Sequence, residues 1–382
     1  MYRGHAQGLM RIFYDHQVFS LQDAGGVSRY LYELIRNLRA SRDIEIELLM
    51  GLNASVMPFP ELQNTKIKVF SWKAGFGPGY PRYALNELAS SVIAQVRGKF
   101  DIYHSMLYRA LPFVRRGQLV VTHHDCIHER FPQFFHNASF IVQRKRKLFA
   151  QADAIICVSE SSRRDLLSFY DIKEEKTHVV HHGFSPLPAE LPGDPSLEPA
   201  NGVVSLPYLL YVGSRAGYKS FPLLLQAFAR SGLAGDYRLL VVGGGAFSAE
   251  EQASITSLGL SSFVNLIPKA GESTLAGAYR GAALFVYPSL YEGFGFPPLE
   301  AMSMDCPVLV YRTSSLPEVC ANAAFYFDTP DAEELAHAVV TTLDDKPGLA
   351  EKRQLGLQRV KLYDWSRTAR TTLDIYHALL NS

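Results

Sequence analysis

Two glutamates eight positions apart mark the most chemically suggestive stretch of this 382-residue chain, Tyr287-Pro-Ser-Leu-Tyr-Glu292-Gly-Phe-Gly-Phe-Pro-Pro-Leu-Glu300-Ala-Met302. An apolar run ends at Tyr287, Gly293 and Gly295 make a loop, and Pro298 suits the first position of a helix, where its missing N–H has no intrahelical partner. The amides of this loop and the helix N-terminus form a place for anionic or hydroxyl oxygens. Two carboxylates beside a polyol can each accept hydrogen bonds from neighbouring hydroxyls. A plain turn followed by a glutamate that favours the helix dipole accounts for Glu300 alone, but not for the whole segment. A second stretch, Tyr211-Val-Gly213-Ser-Arg215-Ala-Gly-Tyr-Lys219-Ser-Phe, sends a guanidinium and an ammonium out of one strand end. A planar fork and a point charge together suit one phosphate-like anion; the alternative is a solvated strand-to-helix loop.

Three further strand ends carry polar groups. Ala24-Gly25-Gly26-Val-Ser-Arg29 puts two glycines at a helix start, where backbone can approach a phosphate, although Gly-Gly before a helix is common. Val121-Thr-His123-His124-Asp125-Cys126 ends a strand in two histidines and an aspartate, which read either as reactive groups or as packed, hydrogen-bonded strand-end residues. Ala152-Asp-Ala-Ile-Ile-Cys-Val-Ser159-Glu160-Ser161-Ser162 places a serine where it can meet a ligand or serve as a helix N-cap. His123, His124 and His128 do not have a zinc spacing, and a metal site needs three or four converging ligands; no metal site is expected. The chain has no Asp-x-Asp pair and no phosphate loop of the Walker type. Val242-Gly-Gly-Gly-Ala246 lacks the spacing of a dinucleotide fingerprint.

Positioning these groups requires alternating strands and helices, the pattern of parallel sheets with crossover helices. Strands are expected at 11–14, 44–50, 67–70, 101–104, 118–123, 154–158 and 178–181, with helices at 27–38, 82–97, 139–150 and 161–169. A break follows: Ser185 to Pro207 holds six prolines and two glycines and reads as a boundary between domains. A second alternating series begins at Tyr208, with strands at 208–212, 238–242, 263–267, 283–287 and 307–310. Its helices are expected at 221–230, 249–257, 274–280 and 298–304, and from Asp331 and Leu349. Two α/β halves suggest a ligand site at the carboxyl ends of their strands.

The glutamate segment is similar to the hallmark of the retaining GT-B glycosyltransferases of the family 4 type, Glu-Gly-Phe-Gly-x-Pro-x-Leu-Glu-Ala-Met, and the resemblance extends over nearly the whole chain. It implies an α/β GT-B fold, two Rossmann-like doubly wound domains facing each other across a cleft. Residues 1–186 would form the acceptor domain, 207–364 the donor domain and 187–206 the linker, with a final helix at 365–382 packing back on the first domain. By this resemblance Glu300 holds the nucleotide ribose. Glu292 and the amides of Phe294, Gly295 and Phe296 hold the donor sugar and phosphate. Arg215 and Lys219, in the loop that begins at Gly213, take the charge of the diphosphate leaving group. Gly25 and Gly26 lie across from that diphosphate, and His124, with His123 as second candidate, lies near the reacting sugar. Asp125 and Ser159 are acceptor candidates. The implied reaction is transfer of a hexose with retention, from a nucleotide diphosphate sugar to a glycan or lipid-linked glycan. No cofactor is expected, and no metal, because cations and helix N-termini substitute for one. The Gly-Gly-Val-Ser-Arg-Tyr opening and the Gly-Phe-Gly-Phe-Pro-Pro-Leu-Glu form resemble bacterial mannosyltransferases of surface-polysaccharide assembly, so GDP-mannose leads, with UDP-glucose, UDP-galactose and UDP-N-acetylglucosamine open. Rivals are an epimerase or a phosphorylase of the same architecture, and a non-catalytic GT-B scaffold.

Bulk composition is consistent with this. A formal net charge of +1 provides no global field for nucleic acid. The four cysteines, Cys126, Cys157, Cys306 and Cys320, form no Cys-x-x-Cys pair, which suits a reducing compartment. The first nine residues read as a loose leader rather than a secretory signal, and no stretch of about 20 apolar residues occurs to span a bilayer. The expected location is the cytoplasm, including its membrane face. The run Arg144-Lys-Arg-Lys147, beside Phe140 and Phe149, offers either peripheral contact with an anionic membrane surface or a solvated helix face.

Overall fold

The computed structural model describes residues 9–381 except 22, 24, 54, 56, 74–79, 97–99, 109–116, 189–205 and 216, and describes 80, 91 and 93–96 by backbone only. The expected leader and most of the proline-rich linker therefore lie outside the described residues. The chain divides into two compact units, residues 1–183 with 364–382, and residues 184–363.

Unit 1 holds strands β1 (Met10–Tyr14), β2 (Ile44–Asn53), β3 (Ile67–Lys73), β4 (Ile102–Ser105), β5 (Gln118–His123), β6 (Ala154–Cys157) and β7 (Thr177–Val179). Its helices are α1 (Gln17–Leu21), α2 (Gly26–Leu38), α3 (Tyr80–Val96), α4 (Ile127–Arg130), α5 (Ala138–Gln151) and α6 (Glu160–Phe169). Unit 2 holds β8 (Tyr208–Val212), β9 (Arg238–Val242), β10 (Val264–Ile267), β11 (Leu284–Tyr287), β12 (Val308–Tyr311) and β13 (Phe325–Phe327). Its helices are α7 (Phe221–Arg230), α8 (Ala249–Ser257), α9 (Glu272–Gly281), α10 (Phe296–Ser303), α11 (Leu316–Cys320), α12 (Ala332–Asp344) and α13 (Lys346–Arg359). The last helix, α14 (Trp365–Asn381), belongs to unit 1.

Both sheets are parallel, in the orders β3-β2-β1-β4-β5-β6-β7 and β10-β9-β8-β11-β12-β13. Strands covered by helices on both faces read as continuous apolar runs, and Leu209, Leu210, Tyr211, Leu284, Phe285 and Val286 are wholly buried. In each order the chain reverses direction once, between β1 and β4 and between β8 and β11. The loops leaving those two strands diverge there and open a crevice at the carboxyl edge.

The apolar stripe expected in α2 is buried at Tyr30, Leu31, Leu34, Ile35 and Leu38. Strand β2 runs three residues beyond the expected Met50, through an irregularity at Gly51 (φ 64°). Asn86 fills the space where a Cβ on Gly51 would stand and clamps Leu52, accepting from its N–H at 2.7 Å and donating to its carbonyl at 2.9 Å. The strand expected to reach His181 pairs only to Val179. Beyond it the backbone turns to α14, and the His181 carbonyl accepts from Thr368 Oγ1 at 2.8 Å. Short α1, α4, α11 and β13 carry too few residues to show a period.

Helix α14 is anchored in unit 1 by buried polar contacts. The Tyr376 hydroxyl bonds that of Tyr14 at 2.9 Å and also His104 Nδ1, while His104 Nε2 meets Thr122 Oγ1 at 2.8 Å. Replacing Tyr376 by Phe leaves two buried partners unsatisfied and is expected to cost about 1–3 kcal/mol. Both tryptophans, Trp72 and Trp365, belong to unit 1, so a lower urea midpoint by tryptophan fluorescence reports that loss; an unchanged midpoint would remove α14 from the stabilising contacts.

Candidate active site

At the reversal point of unit 2, β8 and β11 pair with Leu284 beside Leu209 and Phe285 beside Leu210, so their loops leave side by side. The loop after β8 begins at Gly213 (φ 125°), with no atom within 4 Å of where a Cβ would stand. It ends at Ser220 (φ 53°), which caps α7. The loop after β11 is joined to it by Leu290 N–H donating to the Tyr218 carbonyl at 2.8 Å. This main-chain bond brings the two motifs together. Lys219 Nζ lies 2.6 Å from Glu292 Oε1 and 3.0 Å from the Tyr287 hydroxyl, which itself donates to Glu292 Oε1 at 2.7 Å.

The glutamate loop is held from behind by two serines after β12. Ser314, in the left-handed region (φ 49°), accepts from Glu292 N–H at 2.9 Å. Ser315 donates to the carbonyls of Glu292 at 2.9 Å and Phe294 at 2.6 Å. Gly295 (φ 121°) caps α10, and a side chain there would press on Leu316 at 3.0 Å. The loop delivers Glu300 in α10, where Tyr279 of α9 donates to Oε2 at 3.1 Å. Burial, and then the adjacent carboxylates, hold the hydroxyls of Tyr287 and Tyr279 well above the usual tyrosine range, so both remain donors to their glutamates.

Arg215 does not converge with Lys219 on open space. Its Nε donates to Glu251 at 2.7 Å, Nη1 to the Gly243 carbonyl at 2.7 Å, and Nη2 to the carbonyls of Gly245 at 3.2 Å and Ala246 at 2.7 Å. Glu251 is itself fixed by the capping box of α8 with Ser248. The Gly-Gly-Gly turn that fails as a dinucleotide fingerprint is thus the receptacle for this arginine. Its glycines have φ 93°, 75° and 76°, and a Cβ on Gly244 would lie 2.6 Å from Arg215 Nη1. Each cation of the pair therefore has its own carboxylate, because a charge largely withdrawn from water requires one. Buried Tyr211 lies between the two clusters and feels the charges of Glu292, Arg215 and Glu251.

In unit 1, Gly25 is the N-cap of α2 and its carbonyl accepts from Ser28 Oγ at 2.9 Å; a Cβ on Gly26 would meet nothing within 4 Å. Partly exposed His124 has Nε2 3.1 Å from the Met106 carbonyl. A carbonyl only accepts, so Nε2 carries the proton and Nδ1 presents a lone pair. His123 is buried against Cys126 and Phe149. Asp125 accepts from Ile127 N–H at 3.1 Å, and Lys145 Nζ donates to its main-chain carbonyl at 2.8 Å. Burial pushes its pKa up, but Lys145, that N–H and the two histidines together hold it below the usual carboxylate range. Ser159 is wholly buried, and its Oγ accepts from Ser162 N–H at 2.9 Å as the N-cap of α6, the plainer of its two readings.

The basic run divides. Lys145 is not on the surface: its side chain is 1% exposed and its ammonium pairs with buried Glu129 at 2.9 Å. Helical periodicity sends four consecutive residues in different directions, so the run is not one charged face. Among the described residues, no group of three or more histidine, cysteine, aspartate or glutamate side chains could hold a metal ion, and no helix is long and apolar enough to cross a membrane. Tyr279, Glu251, Ser314 and Ser315 are not anticipated from sequence, and Tyr287 is anticipated only as the end of a strand and not as a partner of Glu292.

This arrangement agrees with the comparisons to known proteins. The family model described as Glycosyl transferases group 1 matches residues 200–356, and that described as Glycosyltransferase Family 4 matches residues 24–186. The chain therefore belongs to the family-4-type glycosyltransferases and is an enzyme of the GT-B fold. The O-antigen chain mannosyltransferase B of Escherichia coli is 26% identical over 93% of this chain and 96% of that protein. The MMP alpha-(1->4)-mannosyltransferase of Mycolicibacterium hassiacum is 27% identical over 96% of this chain and 91% of that protein. The Anabaena protein HepE, solved in complex with UDP-glucose, shares the fold with a TM-score of 0.73 at 20% identity, over 97% of this chain and 99% of that one.

Burial holds His104 at about 3 and His124 at about 4, against 6.5 for a free histidine. The folded state thus stays unprotonated at both sites while the unfolded chain takes up protons below pH 6.5. Stability is complete above that value and is lost as pH falls towards the folded values. The fluorescence-monitored urea midpoint of unit 1 is expected to fall between about pH 6.5 and pH 4.5, and less steeply in His124→Gln. An identical pH profile in the variant would exclude this cause.

Proposed function

We propose that the enzyme transfers a mannosyl residue from GDP-mannose to a glycan or lipid-linked glycan of surface-polysaccharide assembly, with retention and without a metal ion. The observation that carries this reading is the Lys219–Glu292–Tyr287 cluster at the start of α10, with Glu300 eight residues further along. Two mannosyltransferases similar along most of the chain support the choice of sugar. The donor diphosphate draws Lys219 away from Glu292, leaving that carboxylate for the sugar hydroxyls, while Glu300 takes the ribose. Arg215, anchored through Nε on Glu251, exchanges main-chain carbonyls for phosphate oxygens. The amides of Phe294, Gly295 and Phe296 and the dipole of α10 complete the anion site. Gly25, Gly26, His124 and Asp125 belong to the same reading on the side of unit 1.

The bond from the anomeric carbon to the phosphate oxygen breaks as the acceptor oxygen bonds to the same face of that carbon. The acceptor proton passes to the leaving phosphate. Fixed positive charge stabilises that phosphate as it departs, the kind of electrostatic contact whose removal costs about 100-fold in rate. The enzyme works in the cytoplasm, including the inner face of a membrane.

GDP is expected to raise the melting temperature more than UDP or ADP, because a ligand of the folded state stabilises by mass action, and GDP-mannose to be consumed with release of GDP. A larger shift with UDP would move the donor to a UDP-sugar. No shift and no donor breakdown would leave a non-catalytic scaffold. Lys219→Met is expected to lower turnover about 100-fold, and Glu300→Ala to raise the Kd for GDP; wild-type values in either would remove that residue from the site. Transfer is expected to persist in excess EDTA; loss restored by manganese would overturn the metal-free reading.

A further inference from the structure

Lys145, in the middle of α5, is wholly buried. Its ammonium pairs with Glu129, whose side chain is 3% exposed. Such a pair is a weak source of stability. Withdrawing both charges from water offsets most of their attraction, and apolar side chains of similar volume often hold a fold as well. What an ion pair can add is one fixed arrangement of the groups around it.

Those groups here are two loops at the carboxyl edge of the unit 1 sheet. After β5, the Asp125 carbonyl accepts from Lys145 Nζ at 2.8 Å, and Glu129 Oε2 lies 2.9 Å from the same nitrogen. The ammonium thus ties residue 125 to residue 129 across the start of α4. After β4, the Tyr108 ring has its centroid 5.1 Å from Lys145 Nζ. Two positions earlier, the Met106 carbonyl accepts from His124 Nε2 at 3.1 Å. His124 is therefore carried by one loop and oriented by the other, and Lys145 touches both.

Local structure does not supply this geometry. Helix α4 has four residues, too few to be stable by itself. Its anchors on one side come from α6: the C-cap residue Tyr170 donates to Glu129 Oε1, and Asp165 accepts from Arg130 Nε at 3.1 Å. Lys145 is the anchor from α5. Burial sets the low value of about 4 at His124, and the ammonium of Lys145 acts in the same direction.

We infer that Lys145 is a positioning residue for transfer. Its ammonium, fixed by Glu129, holds the loops after β4 and β5 together, so that His124 keeps its Nε2 proton on Met106 and leaves Nδ1 unprotonated. The inference rests on the reading that places His124 and Asp125 near the reacting sugar, but its first test does not use the reaction.

Lys145→Met with Glu129→Gln removes both charges and keeps an oxygen for Tyr170. Neither partner remains as an unpaired buried charge, so the urea midpoint is expected to stay near wild type, whereas Lys145→Met alone lowers it. The ring tautomer of His124 is read by long-range proton–nitrogen NMR of histidine-labelled full chain, its signals identified by their loss in His124→Gln. Wild type is expected to show the Nε2–H form alone, and the double variant a mixture. Release of GDP from GDP-mannose, with methyl α-D-mannopyranoside as acceptor, is expected to fall about 100-fold in the double variant, the scale of a misplacement of about 1 Å. The KM for GDP-mannose should stay unchanged. A pair that only stabilises would leave tautomer and turnover at wild-type values once the midpoint is restored, and that result overturns the inference. So does a mixed tautomer with undiminished turnover. If the double variant does not fold, Tyr108→Leu, which frees the loop after β4 from the ammonium, should mix the tautomers in the same way; an unmixed His124 there also overturns it. If wild type releases no GDP, the donor reading fails and the tautomer alone decides the role of Lys145.

Discussion

The paired loops at the reversal point of unit 2 depend on one constraint: charge withdrawn from water must be neutralised where it sits. Lys219 and Glu292 satisfy it for each other, with Tyr287 completing the cluster. A loop whose apex is such a pair is held in shape before any ligand arrives, and the serines after β12 and the bond from Leu290 to Tyr218 fix its backbone. Arg215 obeys the same constraint by another route, through Glu251 and a turn of glycines whose carbonyls point inward because no side chain obstructs them. In the proposed function a phosphate-bearing ligand would compete with these existing partners, so its binding would exchange ionic contacts instead of creating them. That keeps the cost of holding cations in a partly buried site low while the site is empty.

Unit 1 is organised around a different difficulty, the burial of polar rings and hydroxyls. His104, Tyr14, Tyr376 and Thr122 satisfy one another where α14 returns to the sheet. His124 lies close by, edge-on to Tyr30 and stacked on His182. These histidines remain neutral because burial penalises the imidazolium. His124 thus combines one committed N–H with a lone pair on Nδ1, the state a group needs if it is to orient a hydroxyl near neutral pH. The last helix therefore belongs to the environment of the first unit's strand ends as much as to its hydrophobic core.

Helix α3 shows how far tertiary context overrides a pattern. By composition it is a helix with leucines and polar residues in alternating turns, and periodicity alone assigns the leucines to the core. The fold inverts that assignment because Asn86, Arg82 and Glu87 each complete a buried element that lacks a partner: the irregular edge of β2, the carbonyl of Phe19, and His16. Local hydrogen-bond satisfaction decided which face went inside.

What the sequence determined by itself was whatever depends on neighbours along the chain: alternating strands and helices, and the loop from Glu292 to Glu300 with its helix start. Apolar period and glycine or proline placement are local physics, and they are legible in one dimension. Which strand ends meet was decided only by the tertiary structure, through parallel pairing of β8 with β11 and the main-chain bond from Leu290 to Tyr218 between their loops. The same holds for the partners of the charges. Glu251 for Arg215, Glu129 for Lys145 and Tyr279 for Glu300 lie 36, 16 and 21 positions away, and no periodic signal links residues across such distances. Burial requires every charge and polar group to find a partner, but only the fold determines which one.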